Sequence, residues 1–279
     1  GAQALAGAAA AAATSTAAAA DASTAKLTDA AELAVSAAGT ARLPKMLRAL
    51  NALQLCVACA PRLWEGARSH FERECAPAAM GLVAAAMDGA LALGEMEGAL
   101  ASGLQQLSSA LVPRLRAKLD AFGARNYDLG TADALAAAEA SEPVVAPLLA
   151  ELDTALGQLR PVLADENLQT LLQLLVGACA ERMEALVLVK RVDALGAIQL
   201  ERDIRTLSKR LTELSGRSVR EKLARLHQVG TLLSLERESD LLDVWCEGDG
   251  MRLSVSEARA VLGLRVDFRA SAIAALRLS

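Results

Sequence analysis

The feature that most constrains the fold of this chain is the recurrence of aliphatic side chains every three or four positions. Between Leu43 and Val57 this spacing places the apolar side chains on one face of a helix. Aromatic residues, which favour strands, make up only 2% of the 279 residues, whereas Ala and Leu, which favour helices, are abundant. The sequence therefore predicts an all-α fold, a helical bundle with a core of Leu, Val and Ala.

Composition divides the chain into three predicted segments. Residues 1–40 form a low-complexity, Ala-rich linker with few side chains large enough to pack. Residues 41–191 are predicted to form a helical bundle, because amphipathic patterns recur throughout this range. Residues 192–279 are predicted to form a C-terminal helical domain. Within it, residues 218–279 have the least biased composition and the sharpest helix signals.

Proline and glycine mark predicted breaks between helices. Pro113 is expected to kink or split a long helical region that runs to about Phe122. The segment 123–130, GARNYDLG, is predicted to be a turn, because Asn126 and Asp128 lie between two glycines.

Charge and cysteine content exclude several classes of protein. The net charge of −4 gives no basic surface for sequence-general nucleic-acid binding. Five cysteines at irregular spacing do not form a secreted disulfide framework, so a reducing compartment is expected. The first 20 residues have no basic start or strongly apolar centre, and no membrane span or signal peptide is predicted.

One cluster could bind a metal ion. Cys56 and Cys59 form a CxxC pair, and His70 and Cys75 follow. Cys and His are the ligands that zinc prefers, which allows an alternative function as a zinc-binding helical scaffold protein. The second pair, however, lies in amphipathic helix rather than in a knuckle or hairpin, so packing of these cysteines in the core is favoured.

The sequence contains no recognisable catalytic motif. It has only two histidines, no GxSxG nucleophile elbow, no phosphate-binding loop and no GxGxxG after a strand. We therefore predict no enzyme activity, no catalytic residues and no cofactor. Carboxylate pairs such as Glu95 and Glu97 are more simply solvated helix faces.

Two capping boxes are predicted near the C-terminus. Ser218 with Glu221 is expected to open a helix that runs to about Leu233, and Ser254 with Glu257 to open a short one. Ser234 is expected to cap another helix, which ends near Trp245.

Charged residues at the edge of an apolar stripe are the candidate site residues. Lys222 and Arg225 lie on or beside the apolar face of the helix that follows Ser218. Lys222 can extend its head to water. Arg225 lies a turn deeper and requires a carboxylate partner, because a buried unpaired charge is costly. Glu257 is the preferred candidate, with Asp243 and Asp267 as alternatives.

A second polar cluster surrounds Phe268. Arg265, Asp267 and Arg269 flank this aromatic side chain. The favoured interpretation is a joint between helices with Phe268 in the core. The alternative is a partner-facing surface that includes Lys222, Asp267 and Arg269.

Several strings resemble one known family. They are LARL, LLSLERESDLLDVW, SVSEARAVLGLRVDFR and LRL, together with the upstream segment LGAIQL, between residues 186 and 279. In this range the chain resembles the C-terminus of subunit four of the conserved oligomeric Golgi complex. From 41 to 185 only a helical pattern is shared, and residues 1–40 show no resemblance.

The resemblance implies both a fold and a function. It implies an elongated helical rod of the multisubunit tethering class, in a complex attached peripherally to the cytosolic face of the Golgi membrane. The implied role is vesicle tethering in intra-Golgi retrograde transport, which maintains glycosylation. The implied partners are the other subunits of the complex and the SNARE-fusion machinery, with no nucleic acid and no small-molecule substrate.

The resemblance also implies a role for two residues. Arg225 matches the family's ARL arginine and Glu257 its helix-opening glutamate, which are associated there as a salt bridge. Two positions depart from the family pattern, since Val255 stands where proline is favoured and Ala270 where a capping serine is usual. These departures affect local caps rather than the fold.

Overall fold

The computed structural model describes residues 43–74, 79–82, 84–85, 93–247 and 250–277. The predicted linker, residues 1–40, lies outside the described residues. The helices are α1 (Leu43–Glu74), α2 (Leu93–Ala124), α3 (Ala132–Ala140), α4 (Ala146–Leu159), α5 (Asp165–Val187), α6 (Ala194–Ser215), α7 (Arg220–Leu233), a 3₁₀ turn (Glu238–Asp240), α8 (Leu241–Glu247), α9 (Val255–Leu262) and α10 (Ala270–Ala275). The described residues contain isolated β-bridges but no strand, which confirms the predicted all-α helical bundle.

The chain forms two compact units. Of the described residues, those between 43 and 110 and those from 158 to 171 form one unit, and those from 111 to 157 and between 172 and 277 form the other. This division into units does not test the predicted domain boundary between residues 191 and 192, which stays a prediction. None of the described helices is long and apolar enough to cross a membrane.

The first unit is built around the beginning of α1. Met46, Leu47 and Leu50 of this helix are buried. Gly103 of α2 lies close to Leu50, because a Cβ added at Gly103 would be 2.6 Å from the Leu50 side chain. Asn51 joins α1 to the segment before α5, because its amide donates to the carbonyl of Val162 at 2.7 Å and its oxygen accepts from the amide of residue 164, also at 2.7 Å.

The second unit buries aliphatic side chains from α2, α4, α5, α6 and α7. Helix α7 packs against both α6 and α9. Ile204 of α6 approaches Gly230 of α7 so closely that a Cβ at Gly230 would lie 3.0 Å from it. Pro113 lies inside α2 without ending this helix, so α2 is not split there.

The structure corrects two predicted caps. Helix α7 begins at Arg220 after Val219, and Ser218 accepts only from the amide of Arg220, at 3.4 Å, so the predicted box with Glu221 does not form. Glu221 is instead bound by Arg252, a partner 31 residues away. Ser234 ends α7 rather than starting a helix, and its hydroxyl donates to the carbonyl of Gly230. The box of Ser254 and Glu257 is present at the start of α9, as predicted.

Candidate functional site

Arg225 of α7 is the centre of an ion cluster that joins three helices. Its Nη2 lies 2.8 Å from Oε1 of Glu184 on α5 and 2.8 Å from Oε1 of Glu257 on α9. Its Nη1 donates to the carbonyl of Arg252 at 2.8 Å. Hydrogen bonds from Arg225 to Glu184 first, and to Glu257 second, raise the pKa of the guanidinium. The group therefore remains charged and fixes α7 to both neighbours.

Glu257 uses its two carboxylate oxygens for different partners. Oε1 accepts from Arg225, and Oε2 accepts from the backbone amide of Ser254 at 2.7 Å. The Arg225 hydrogen bond, followed by the bonds from Ser254, lowers the pKa of Glu257 to about 2. Glu257 therefore caps α9 and pairs with Arg225 at the same time.

Glu184 was not predicted from the sequence. Its side chain is only 15% exposed, less than the 44% of Glu257. It lies 41 residues before Arg225, in a helix with a broad apolar surface. An acid between Met183 and Val187, both fully buried, was the available signal that a cation must lie nearby.

Other hydrogen bonds near the Arg225 cluster join α7 to the segment before α9. Gln228 of α7 donates to the carbonyl of Gly250 at 3.0 Å and accepts from the amide of Arg252 at 2.9 Å. These bonds attach the segment before α9 to α7. Lys222 is exposed, and it does not take part in the Arg225 cluster.

Arg265 forms a second cluster and is almost completely buried. It makes a two-pronged ion pair with Asp267, with Nε–Oδ1 at 2.8 Å and Nη2–Oδ2 at 2.6 Å. Its Nη1 donates to the carbonyls of Leu233 and Leu235 at the end of α7. Its guanidinium lies 4.2 Å from the centre of the Phe268 ring. Phe268 is therefore half-buried against a cation rather than inserted into the aliphatic core.

The two predicted surface residues near Arg265 have different surroundings. The hydrogen bond from Arg265 lowers the pKa of Asp267, so this exposed carboxylate is already engaged within the chain. Arg269 is exposed, and its backbone amide donates to Glu238 at 2.9 Å.

A buried polar network surrounds Tyr127, in the segment predicted to be a turn. Gly123 and Ala124 still belong to α2, so the turn begins later than predicted. It is formed over 125–130, where Asn126 accepts from the amide of Asp128 and Gly130 has a φ of 70°. The Tyr127 ring, however, is fully buried, and its hydroxyl donates to Oδ2 of Asp203 on α6 at 2.7 Å. Burial raises the pKa of Asp203, against the lowering effect of this hydrogen bond.

Asp193 and Lys190 also form hydrogen bonds with backbone groups at this turn. Asp193 caps α6 through the amide of Gly196 and also accepts from the amide of Gly130, both at 2.6 Å. The ammonium of Lys190 donates to the carbonyls of Gly123 and Arg125 at 2.8 Å each. Burial lowers the pKa of Lys190. These contacts make the turn a fixed joint between α2 and α6.

The described residues contain no group of three or more His, Cys, Asp or Glu side chains that could hold a metal ion. Of the four predicted zinc ligands, Cys56, Cys59 and His70 lie along α1, and Cys75 lies outside the described residues. Cys56 is exposed and Cys59 half-buried, so core packing does not account for Cys56 either.

The helices and their ion clusters define an all-α bundle protein whose C-terminal helices are joined by internally paired charges. The family model "Conserved oligomeric Golgi complex subunit 4, C-terminal" matches residues 77–260. Because this match covers more than half of the chain, the chain belongs to the family of conserved oligomeric Golgi complex subunit 4. The predicted family is confirmed, and the match begins far upstream of residue 186, where the sequence had shown only a helical pattern.

Curated relatives support the same assignment. The chain is 39% identical over 182 residues to conserved oligomeric Golgi complex subunit 4 of Arabidopsis thaliana, a match that covers 64% of this chain and 24% of the relative. The subunit of Homo sapiens is 31% identical over 183 residues, with 64% of this chain and 23% of the relative covered. The Caenorhabditis elegans subunit is 35% identical over 142 residues, which cover 48% of this chain and 18% of the relative. The chain thus spans about a quarter or less of the length of these relatives.

Proposed function

We propose that this chain is the C-terminal part of a non-catalytic subunit of a Golgi vesicle-tethering complex. The observation that carries this proposal is the family match over residues 77–260. The relatives are named as subunits of the conserved oligomeric Golgi complex, so the chain is proposed to act by binding the other subunits.

The proposed place of action is the cytosolic face of the Golgi membrane, to which the complex is attached peripherally. There the protein is proposed to act in intra-Golgi retrograde transport and in the maintenance of glycosylation. The SNARE-fusion machinery is proposed as a further partner at the level of the family.

The ion cluster supports a scaffolding role in physical terms. A partner surface must keep its shape, and Arg225 joins α5, α7 and α9 through charge-assisted bonds, which are stronger than neutral ones. We therefore propose that the Arg225–Glu257 bridge is structural and preserves the shape of the second unit.

Partner recovery from a Golgi-containing lysate tests the proposal. The tagged chain is expected to recover at least one other subunit of the complex, and failure to recover any subunit contradicts the proposed function. Arg225→Trp is expected to reduce recovery together with the melting temperature.

A second comparison tests the proposed contact residues. Lys222 and Arg269 are exposed and stay proposed as parts of a partner surface. Lys222→Glu with Arg269→Glu is expected to reduce recovery without changing the melting temperature. Lys209→Glu, at an exposed lysine of α6, serves as the matched control and should leave recovery unchanged. Equal recovery by all variants removes these two residues from the proposed surface.

A further inference from the structure

Helix α1 has one exposed face that combines basic and apolar side chains, with one acid, Glu74, at its edge. We propose that this face binds an anionic membrane surface. The face is defined by Lys45, Arg48, Leu55, Arg62, Leu63 and Arg73, and we call it the basic face of α1.

Exposure shows which side of α1 is uncovered. Leu55 is 64% exposed and Leu63 66% exposed, whereas Leu50 is fully buried. At about 100° per residue, the six side chains of the basic face lie within a sector of roughly 100°, with Leu50 on the opposite side. A large aliphatic side chain that remains mostly in water loses the free energy of burial, which contact with an apolar layer would supply to both leucines.

The charges on this face are not neutralised within the described residues. Lys45, Arg48 and Arg62 are exposed and pair with no described carboxylate. The acids Glu65 and Glu72 lie on another side of α1, where Arg68 pairs with Glu72 at 2.9 Å. The third acid of α1, Glu74, lies at the edge of the basic face, so four basic side chains stand against one acid there. A chain with a net charge of −4 thus concentrates uncompensated positive charge on one helix face.

The charge and length of this face indicate which kind of surface it binds. From Lys45 to Arg73 the face extends for about 42 Å at the usual rise of a helix. Basic residues spread over such a length suit a broad, uniformly negative surface, and isolated leucines between them can enter the lipid boundary. A second copy of α1 would place like charges against each other, which argues against self-association through this face.

The inference does not rest on the proposed tethering role, because it follows from α1 alone and is measured without any other subunit. The test is co-sedimentation of the purified chain with phosphatidylcholine vesicles that either contain or lack phosphatidylserine. We expect binding only to vesicles with phosphatidylserine, and weaker binding as salt is added. No binding to either kind of vesicle overturns the inference.

Two pairs of variants locate the binding surface. Arg48→Gln with Arg62→Gln is expected to weaken binding by roughly tenfold to thirtyfold, since each basic residue near the surface contributes about a fivefold gain in affinity. The matched control is Lys209→Gln with Arg217→Gln, two exposed basic residues in the second unit, and it should bind like the unmodified chain. Equal losses in both pairs indicate attraction by overall charge and contradict a role for α1.

The apolar contribution is tested in the same way. Leu55→Ser with Leu63→Ser should also weaken binding, whereas Val189→Ser, at a residue that is 81% exposed, should not. All these side chains are exposed, so unchanged melting temperatures are expected and verify folding. If the α1 variants bind vesicles normally but lose recovery of another subunit, the face binds an acidic protein instead, and the membrane inference is wrong.

Discussion

The guanidinium of Arg225 and the carboxylate of Glu257 lie 2.8 Å apart across 32 residues of chain. The same arginine also binds Glu184, so three helices meet at one cation. Helix α9 has only eight residues and does not extend over much of the core. Its position therefore depends strongly on this contact and on the apolar side chains beneath it.

Arg225→Trp is expected to destabilise the second unit. The substitution removes the hydrogen bonds to both acids and leaves Glu184, which is 15% exposed, without its cation. Because the arginine itself is 38% exposed, the expected loss in the free energy of unfolding is only about 1–2 kcal/mol. Urea unfolding measures this loss. Arg205→Trp, at an exposed arginine of α6 that pairs with Glu201 one turn away, is the control, and equal midpoints for the two variants would contradict the structural role.

Acid is expected to weaken the contribution of Glu257. Its pKa lies at about 2 in the folded chain and near 4.5 when it is free, because Arg225 and Ser254 stabilise the charged form. A lowered pKa stabilises the fold above pH 4.5, and this stabilisation is lost as the pH falls toward 2. The difference in melting temperature between the unmodified chain and Glu257→Gln should therefore shrink over this range. A difference that stays constant with pH contradicts the assigned shift.

Tyr127→Phe is expected to lower the free energy of unfolding by about 1–3 kcal/mol, although the aromatic ring remains. The variant removes the hydroxyl that donates to Asp203, a carboxylate with a side-chain exposure of 3%. Its remaining partners are Gln199 at 3.1 Å and Arg125 at 3.9 Å. A double-mutant cycle with Asp203→Ala, which removes the acceptor, measures the coupling. Additive effects of the two substitutions would show that the hydroxyl and the carboxylate do not interact.

Gly196→Ala is expected to disrupt the start of α6. A Cβ at Gly196 would lie 1.6 Å from the carbonyl oxygen of Tyr127, and backbone atoms cannot move aside cheaply. The expected destabilisation is above about 3 kcal/mol, measured by chemical unfolding. Gly177→Ala in α5 is the matched control. No atom lies near its added Cβ, so this variant should gain up to about 1 kcal/mol from helix propensity. A similar effect of both substitutions would contradict the close approach.

Local hydrogen bonding explains which features could be predicted from the sequence. The helices follow from aliphatic spacing, and the box of Ser254 and Glu257 is confirmed because its bonds join residues three positions apart. The prediction of a capping box at Ser218 is wrong, because Arg252, which is remote in the sequence, binds Glu221. A short-range pattern does not reveal such a competitor.

Residues distant in sequence explain what was missed. Glu184 reaches Arg225 from another helix, and the sequence offers no register between α5 and α7. Tyr127 was assigned to a turn because its neighbours Asn126 and Asp128 form one. The only tyrosine of a chain that is poor in aromatic residues could have been taken as a buried anchor with a hydroxyl that needs a partner.

The isolated bridges have a consequence for how the chain folds. Val192 pairs with Tyr127 on one side and with Arg265 on the other, so three remote segments meet at one residue. Contacts at such separations require long loops to close, which slows folding. During synthesis the Arg265 side of this junction cannot form until the segment around Arg265 has left the ribosome. A premature stop shortly before Arg265 therefore leaves the carbonyls of Leu233 and Leu235 and the Val192 edge uncovered, and the resulting chain should be a target for degradation rather than a shortened working subunit.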